Sequence, residues 1–155
     1  MSDVAQILRQ SRAKGWRIAT AESCTGGMVM AALTAVAGAS DVVEGGFITY
    51  SNNMKISLIG VTSEVLLEHG AVSLEAAAQM AVGAANRTGA TLCISVTGIA
   101  GPGGSEHKPE GRVCFGLYVA GDIRMETVEF GALGRDRVRQ AATDHALSLL
   151  LAASL

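Results

Sequence analysis

The sequence has little charge, few cysteines and few aromatic side chains, and these shortages exclude several classes of protein. Its formal net charge of −2 argues against a nucleic-acid partner held mainly through phosphate contacts, which require a basic face. Its three cysteines, Cys24, Cys93 and Cys114, follow no paired zinc-binding pattern. Cys93 and Cys114 lie in apolar runs typical of small buried residues. We therefore expect neither a nucleic-acid partner nor a zinc site.

Long apolar runs are also missing. No stretch of about 18 apolar residues is present that could span a bilayer. No charged start followed by an apolar stretch marks a signal peptide. We therefore expect a soluble, cytoplasmic protein without a membrane partner.

Small and branched aliphatic residues dominate instead. Hydrophobic residues make up 49% of the 155 residues and aromatic residues only 4%, a balance that suits helices packed closely on a sheet. A chain of this length can bury a sizeable core as one unit. We predict a single domain over 1–155. The mildly positive mean hydropathy further indicates a homo-oligomer that buries some surface between subunits.

Apolar periodicity and capping residues predict an alternation of helices and strands. Helices are predicted near residues 4–14, 28–36, 52–55, from 63, over 73–86 and from 135 onward. Strands are predicted over 16–20, 42–50, 91–96, 113–119 and 123–128, the last two forming a hairpin. This order predicts the α/β class, with a mixed sheet packed with helices.

A serine stands between the first predicted strand and the next helix, in Ala-Glu-Ser-Cys-Thr-Gly-Gly at 21–27. Amide groups and the positive dipole end at the helix start would stabilise a phosphate or an oxyanion beside Ser23. Thr25 is predicted to cap that helix. The segment matches neither the G-x-S-x-G elbow nor the phosphate loop. From spacing alone, Ser23 is therefore explained equally well as a structural cap of the helix and as a nucleophile.

A serine nucleophile needs a base, and the segment 50–55 offers one. No histidine is well placed, because His69 and His145 fall in helical stretches and His107 in a polar loop. Lys55 would serve if burial or a neighbouring cation lowered its pKa, and Tyr50 would relay a proton or hold the hydroxyl. The alternative is a solvated lysine beside a strand-end aromatic. The residues alone favour this alternative, since most lysines are exposed.

A third segment, 95–104, ends an apolar strand with four glycines in seven residues. Carboxyl ends of strands are where open α/β sheets bind ligands, and successive amides form anion-binding nests. The segment therefore indicates ligand binding, although it is not a dinucleotide fingerprint.

Three arginines, Arg135, Arg137 and Arg139, begin the last predicted helix. Guanidinium groups suit phosphate or carboxylate, and a solvated charged face is the more usual explanation of such a run.

Together these segments resemble the CinA C-terminal domain family, the nicotinamide-nucleotide amidohydrolases. The matching pieces are 21–27, 46–52 with Lys55, 95–104 and Lys-Pro-Glu-Gly at 108–111, so the resemblance runs in order over nearly the whole chain. It implies an α/β fold and hydrolysis of the carboxamide of nicotinamide mononucleotide to nicotinic acid mononucleotide and ammonia. It also implies a role in bacterial nucleotide recycling without a metal or another cofactor.

The resemblance implies that Ser23 attacks the carboxamide while Lys55 and Tyr50 handle protons, with lysine returning the hydroxyl proton to ammonia. Amides at Cys24 or Thr25 are the expected oxyanion donors. The residues expected to contact the substrate are Cys24, Thr25, Gly26, Thr97, Gly98, Ala100, Gly101 and Arg135. Arg135 keeps the family position, although Leu133 and Gly134 stand where the family tends to have Gly-Asp.

Three alternatives remain at this point. In the first, the chain is a nucleotide-binding or competence-related regulatory module without catalysis. In the second, it is an amidohydrolase that prefers another amide. The third alternative takes the Cys24 thiol as nucleophile, because a helix N-terminus lowers thiol pKa. Neighbouring side chains on a turn point in different directions, however, and the resemblance assigns the role to Ser23.

Overall fold

The computed structural model describes residues 3–105 and 107–155, which form six α-helices, five strands and one short 3₁₀ helix. In chain order these are α1 (Asp3–Ala13), β1 (Ile18–Glu22), α2 (Met28–Thr34), the 3₁₀ helix (Ala39–Asp41), β2 (Val43–Ile48), α3 (Asn52–Ile59), α4 (Ser63–His69), α5 (Leu74–Thr88), β3 (Leu92–Gly98), β4 (Arg112–Val119), β5 (Asp122–Glu129) and α6 (Arg135–Ser154).

The five strands form one mixed sheet in the order β2-β1-β3-β4-β5. Strand β1 runs parallel to β2 and β3, whereas β4 and β5 are antiparallel to their neighbours. Glu22, the last residue of β1, is level with Ile48 of β2 and Val96 of β3. The loops that follow these three parallel strands therefore meet at one edge of the sheet.

Helices cover both faces of the sheet, which confirms the predicted α/β class. Alternate residues of β1 point to opposite faces. Ile18 packs in the cluster that includes residues of α1, α2 and α6, while Ala19 and Ala21 pack with residues of α3 and α5. Small residues let α5 approach closely, since a Cβ at Gly83 would strike the backbone of Ile59 at the end of α3.

The predicted elements lie within a few residues of the observed ones, with one informative shift. Strand β1 was expected over 16–20 but runs over Ile18–Glu22, because the serine segment contributes its first two residues to the sheet. The observed β2 is shorter than the predicted 42–50, so Thr49 and Tyr50 lie beyond its end. No helix of the described residues is both long enough and apolar enough to cross a membrane.

Candidate active site

A cavity of about 370 Å³ lies where the loops after β1, β2 and β3 meet the start of α6. Its volume is within the range of small-molecule sites. Within residues 3–105 and 107–155, the lining contains no histidine, and no three His, Cys, Asp or Glu side chains are grouped to hold a metal. The lining residues are Ser23, Cys24, Tyr50, Asn52, Lys55, Ala71, Val72, residues 97–105 and Arg135.

Ser23 is held at the floor of this cavity by backbone and side-chain contacts. Its amide donates to the carbonyl of Val96 at 2.9 Å, which continues the ladder between β1 and β3. Its Oγ lies 3.0 Å from Nζ of Lys55 and 3.4 Å from the carbonyl oxygen of Tyr50. Ser23 is 8% exposed, so its hydroxyl is shielded from bulk water except through the cavity.

Lys55 lies in the first turn of α3 and points inward with 1% exposure. The alternative of a solvated lysine is therefore wrong. Besides the serine hydroxyl, Nζ contacts the carbonyls of Thr49 at 2.8 Å and Tyr50 at 3.2 Å. In each of these three contacts the amine donates and the oxygen accepts, so Nζ lies within hydrogen-bond distance of the hydroxyl whose proton a lysine base would take.

Tyr50 contributes to the site in two separate ways. Its backbone carbonyl accepts hydrogen bonds from both the Ser23 hydroxyl and the Lys55 amine. Its side chain lies on the cavity rim, where the phenol oxygen accepts from Nη2 of Arg135 at 3.0 Å, and the residue is 61% exposed. The sequence predicted that Tyr50 positions the hydroxyl, and in the structure the backbone makes that contact. A proton-transfer role for the phenol stays a prediction.

The start of α2 differs from the prediction. The N-cap is Gly27, without a side-chain cap, so Thr25 is not the capping residue. Instead the fully buried Glu22 accepts from Thr25 Oγ1 at 2.7 Å and, at 3.0 to 3.2 Å, from the amides of Gly27, Val29 and Met30. A carboxylate of the protein therefore occupies the anion position at this helix N-terminus, and these three amides are not available to a substrate.

The serine loop is also fixed from α6. Nε of Arg139 donates to the carbonyl of Cys24 at 3.0 Å, and a Cβ at Gly26 would lie 3.3 Å from the same guanidinium. Arg139 is thus a structural residue of the loop, whereas Arg135 lines the cavity. Thr25 and Gly26 are absent from the described lining, and their predicted substrate contacts stay predictions.

The glycine-rich segment forms one wall of the cavity. The resemblance implies substrate contacts for Thr97, Gly98, Ala100 and Gly101, and all four line the cavity. The Thr97 hydroxyl donates to the carbonyl of Ala71 at 2.8 Å, which attaches this wall to the turn before α5. Sequence reasoning missed the lining residues Ala71 and Val72, which carry no chemical signal. It also missed Asn52, the last residue of the matching segment 46–52.

Cys24 lines the cavity, but burial makes its thiol a poor nucleophile. Burial raises the pKa of this thiol to about 12, so only a minute fraction is thiolate near neutral pH. Burial likewise raises the pKa of Cys93 to about 12 and the pKa of Cys114 above its usual value. The reactive form of cysteine is the thiolate. The raised pKa of Cys24 therefore favours Ser23 as the nucleophile.

We expect the folded protein to resist thiol alkylation at pH 8. Cys24 should react with iodoacetamide about 10³-fold more slowly than an exposed thiol of pKa about 8.5, because its thiolate fraction is that much smaller. Mass spectrometry would follow the label, with urea-unfolded protein labelled at all three cysteines as control. Rapid labelling of Cys24 in the folded protein would contradict this expectation and make the thiol a candidate nucleophile again.

The fold and the cavity define a class of protein: a mixed α/β domain with a buried serine–lysine pair at the carboxyl edge of its parallel strands. The chain belongs to the CinA C-terminal domain family, whose model matches residues 2–154.

Curated relatives extend this assignment. The chain is 44% identical over 146 residues to the nicotinamide-nucleotide amidohydrolase PncC of Escherichia coli K12, covering 94% of this chain and 88% of that protein. It is 46% identical over 140 residues to a CinA-like protein of Syntrophobacter fumaroxidans, covering 90% of this chain but 33% of that protein. The chain thus spans most of the first relative and about a third of the second.

Solved structures share the whole fold. The competence/damage inducible protein CihA of Agrobacterium tumefaciens is 41% identical with a TM-score of 0.90, and the match covers 99% of this chain and 96% of that one. The competence damage-inducible protein A of Klebsiella pneumoniae is 36% identical with a TM-score of 0.94, covering 97% and 94%. These matches confirm the predicted family fold.

Proposed function

We propose that this chain hydrolyses the carboxamide of nicotinamide mononucleotide to nicotinic acid mononucleotide and ammonia, by a Ser/Lys mechanism in which Tyr50 assists. The observation that carries the proposal is the 3.0 Å contact between Ser23 Oγ and Lys55 Nζ at the floor of the cavity. The 44% identity to a nicotinamide-nucleotide amidohydrolase supports the choice of substrate. A module that only binds nucleotides would not need a buried amine against a serine hydroxyl.

The first half of the reaction forms an ester on the enzyme. The Lys55 amine takes the hydroxyl proton while Oγ of Ser23 attacks the carboxamide carbon, and the carbonyl π electrons move to oxygen. The tetrahedral intermediate then collapses, the C–N bond breaks, and the Lys55 ammonium protonates the departing nitrogen to give ammonia. An amide is a poor leaving group, so this proton return is as necessary as the attack.

The second half reverses these roles with water. Lys55 takes a proton from water, the hydroxide attacks the ester carbon, and the Oγ–C bond breaks as Oγ regains its proton. The Cys24 amide is the oxyanion donor we propose, because Cys24 lines the cavity. The Ser23 amide donates to Val96 and is therefore occupied.

The substrate phosphate would be held at the cavity mouth by Arg135 and the glycine-rich segment. Nη1 of Arg135 donates to the carbonyl of Gly101 at 2.6 Å, so the guanidinium already lies beside that wall. Guanidinium groups bind phosphate through paired donors. In the orientation we propose, the carboxamide end of the substrate lies toward Ser23 and the phosphate end toward solvent.

We expect Arg135→Ala to raise KM for the mononucleotide by about 10- to 100-fold, the loss of one charge-assisted phosphate contact. Turnover of nicotinamide riboside, which lacks the phosphate, should change less than about twofold by the same reasoning. Arg137→Ala is the matched control, since Arg137 is exposed and lies outside the described lining. Equal losses on both substrates would remove Arg135 from the phosphate site.

Ammonia release from purified protein in chelator tests the proposed function. Nicotinamide mononucleotide, its riboside and free nicotinamide would be compared side by side at single-turnover protein concentrations. Release from the mononucleotide in preference to the others supports the proposal. Release from none of them, with tight mononucleotide binding retained, would favour the regulatory binding module, and faster release from another amide would reassign the substrate.

Two further parts of the proposal concern location and assembly. We place the activity in the cytoplasm, where thiols stay reduced, because all three cysteines are free and buried. We propose a homo-oligomer because apolar side chains are exposed at the end of β2 and in α3, at Ile48, Met54 and Ile56. Light scattering on purified chain would measure its mass, and a monomer at micromolar concentration would contradict the second part.

A further inference from the structure

Glu110 joins two segments of the cavity that share no strand or helix. Its Oε1 accepts from the amide of Gly103 at 2.8 Å, and its Oε2 accepts from the amide of Gly134 at 3.1 Å. Gly103 belongs to the glycine-rich wall, whereas Gly134 is the N-cap of α6 and directly precedes Arg135. Glu110 itself is absent from the described lining, so its effect on a ligand is exerted through these two amides.

Arg135 makes a second connection between the start of α6 and the glycine-rich wall. Its Nη1 donates to the carbonyl of Gly101 at 2.6 Å, so the start of α6 and the glycine-rich wall are joined once by a carboxylate and once by a guanidinium. The packing leaves no room for a side chain between them, since a Cβ at Gly101 would lie 2.5 Å from Cδ of Glu110. The absence of a side chain at Gly101 is thus what lets the wall lie directly against the carboxyl group.

The joined segments need such support because of their conformation. Gly101, Gly103 and Gly134 have φ angles of 90°, 78° and 93°, a region that favours glycine. Glycine loses the most conformational freedom when it is ordered. If the wall is already ordered before the substrate binds, this loss of conformational entropy does not reduce the binding affinity. Hydrogen bonds to a charged acceptor are about twice as strong as neutral ones.

We propose that Glu110 is a positioning residue for phosphate recognition: it holds the glycine-rich wall and the start of α6 together so that Arg135 and the wall amides face the substrate phosphate. This rests on the proposed function. A direct contact would be unfavourable, because a carboxylate repels a phosphate. Glu110 therefore serves specificity for the mononucleotide over the riboside, and has no part in the chemistry at Ser23.

The first test compares Glu110→Gln and Glu110→Ala in steady-state assays. Glutamine keeps the shape of the glutamate side chain but has only one acceptor oxygen. The amide of either Gly103 or Gly134 would therefore face an NH₂ group. We expect KM for the mononucleotide to rise about tenfold in Glu110→Gln and further in Glu110→Ala, with kcat and riboside turnover within about twofold. Glu129→Gln is the matched control, because that carboxylate bonds Arg112 on β4 and does not line the cavity.

A double-mutant cycle tests whether Glu110 acts through Arg135. In an Arg135→Ala background, Glu110→Gln should raise KM by clearly less than the tenfold expected in the wild-type background, since the guanidinium, one of the two groups it positions, is gone. Full additivity, an unchanged KM in the single variants, or an equal loss on riboside and mononucleotide would each overturn the proposal. Thermal unfolding of each variant would be measured alongside, so that a loss of fold is recognised directly.

Calorimetry separates this proposal from the proposed function. The dissociation constant of the mononucleotide would be measured with Ser23→Ala and with Ser23→Ala/Glu110→Gln, neither of which needs turnover. About tenfold weaker binding in the double variant supports the proposal, and identical binding or no binding by Ser23→Ala overturns it. Failure of the wild type to release ammonia while this binding difference persists would overturn the amidohydrolase function alone.

Discussion

Ser23→Ala is expected to lower kcat for nicotinamide mononucleotide by about 10⁴-fold or more, the scale seen when a nucleophile is removed from a catalytic pair. In the proposed mechanism the lost hydroxyl oxygen forms the ester, and it is the hydroxyl that Lys55 Nζ contacts at 3.0 Å. The Ser23 amide keeps its bond to Val96, so the loop and the substrate affinity should be preserved. Single-turnover ammonia release and the dissociation constant would be measured together.

Ser57→Ala is the matched control for this experiment. Ser57 is an exposed residue of α3 whose hydroxyl donates to the carbonyl of Asn53, and its loss should leave turnover within about twofold, as is usual for surface substitutions. Substantial ammonia release by Ser23→Ala would mean that another group attacks the carboxamide. Loss of binding and turnover together would assign Ser23 to substrate affinity instead of covalent chemistry.

Lys55→Met is expected to reduce kcat by about 10³- to 10⁴-fold, because in the proposed mechanism the same amine removes the hydroxyl proton and returns it to the leaving nitrogen. Methionine fills most of the space without a polar group. The carbonyls of Thr49 and Tyr50 then lose a donor, which costs about 1 to 3 kcal/mol of stability. Turnover, mononucleotide binding and thermal unfolding would be measured on the same preparation.

Lys14→Met is the control for the lost charge, since Lys14 donates to carbonyls at the end of α6, at residues that do not line the cavity. It should lower stability somewhat and leave kcat within about twofold. Full activity of a folded Lys55→Met variant would exclude lysine as the base. An unfolded variant would be replaced by Lys55→Arg, in which hydrogen-bond donors are kept but a base is not available at neutral pH.

The order of apolar runs was enough to predict the α/β class, because several elements carry clear local signals, such as the apolar face of α1 at Val4, Ile7 and Leu8 and the capping residue of α5. Ser73, for example, caps α5 through a bond from the Ala76 amide, as its sequence context indicated. The start of α2 was mispredicted because a local rule favoured Thr25. The group that caps this helix is Glu22, which reaches it from the end of β1, and its burial cannot be deduced from the neighbouring residues.

The candidate site was predictable in its residues but not in its contacts. The family resemblance named Ser23, Lys55 and Arg135, and the structure brings all three to one cavity. Burial of Lys55 could not be predicted, because it depends on how α3 packs after the short loop at the end of β2. The bond from Arg139 to Cys24 joins residues 115 positions apart, and no local pattern indicates such a pairing.

The contacts of Glu22 have a consequence for how the serine loop responds to heat. Its buried carboxylate accepts hydrogen bonds from the amides of Val29 and Met30, so separating α2 from the sheet would leave that carboxylate without its donors. Such a state is costly, and it disfavours a partial opening confined to this loop. We therefore expect the segment that presents Ser23 to stay closed until the sheet itself unfolds, so that on heating the loss of activity coincides with the loss of the fold.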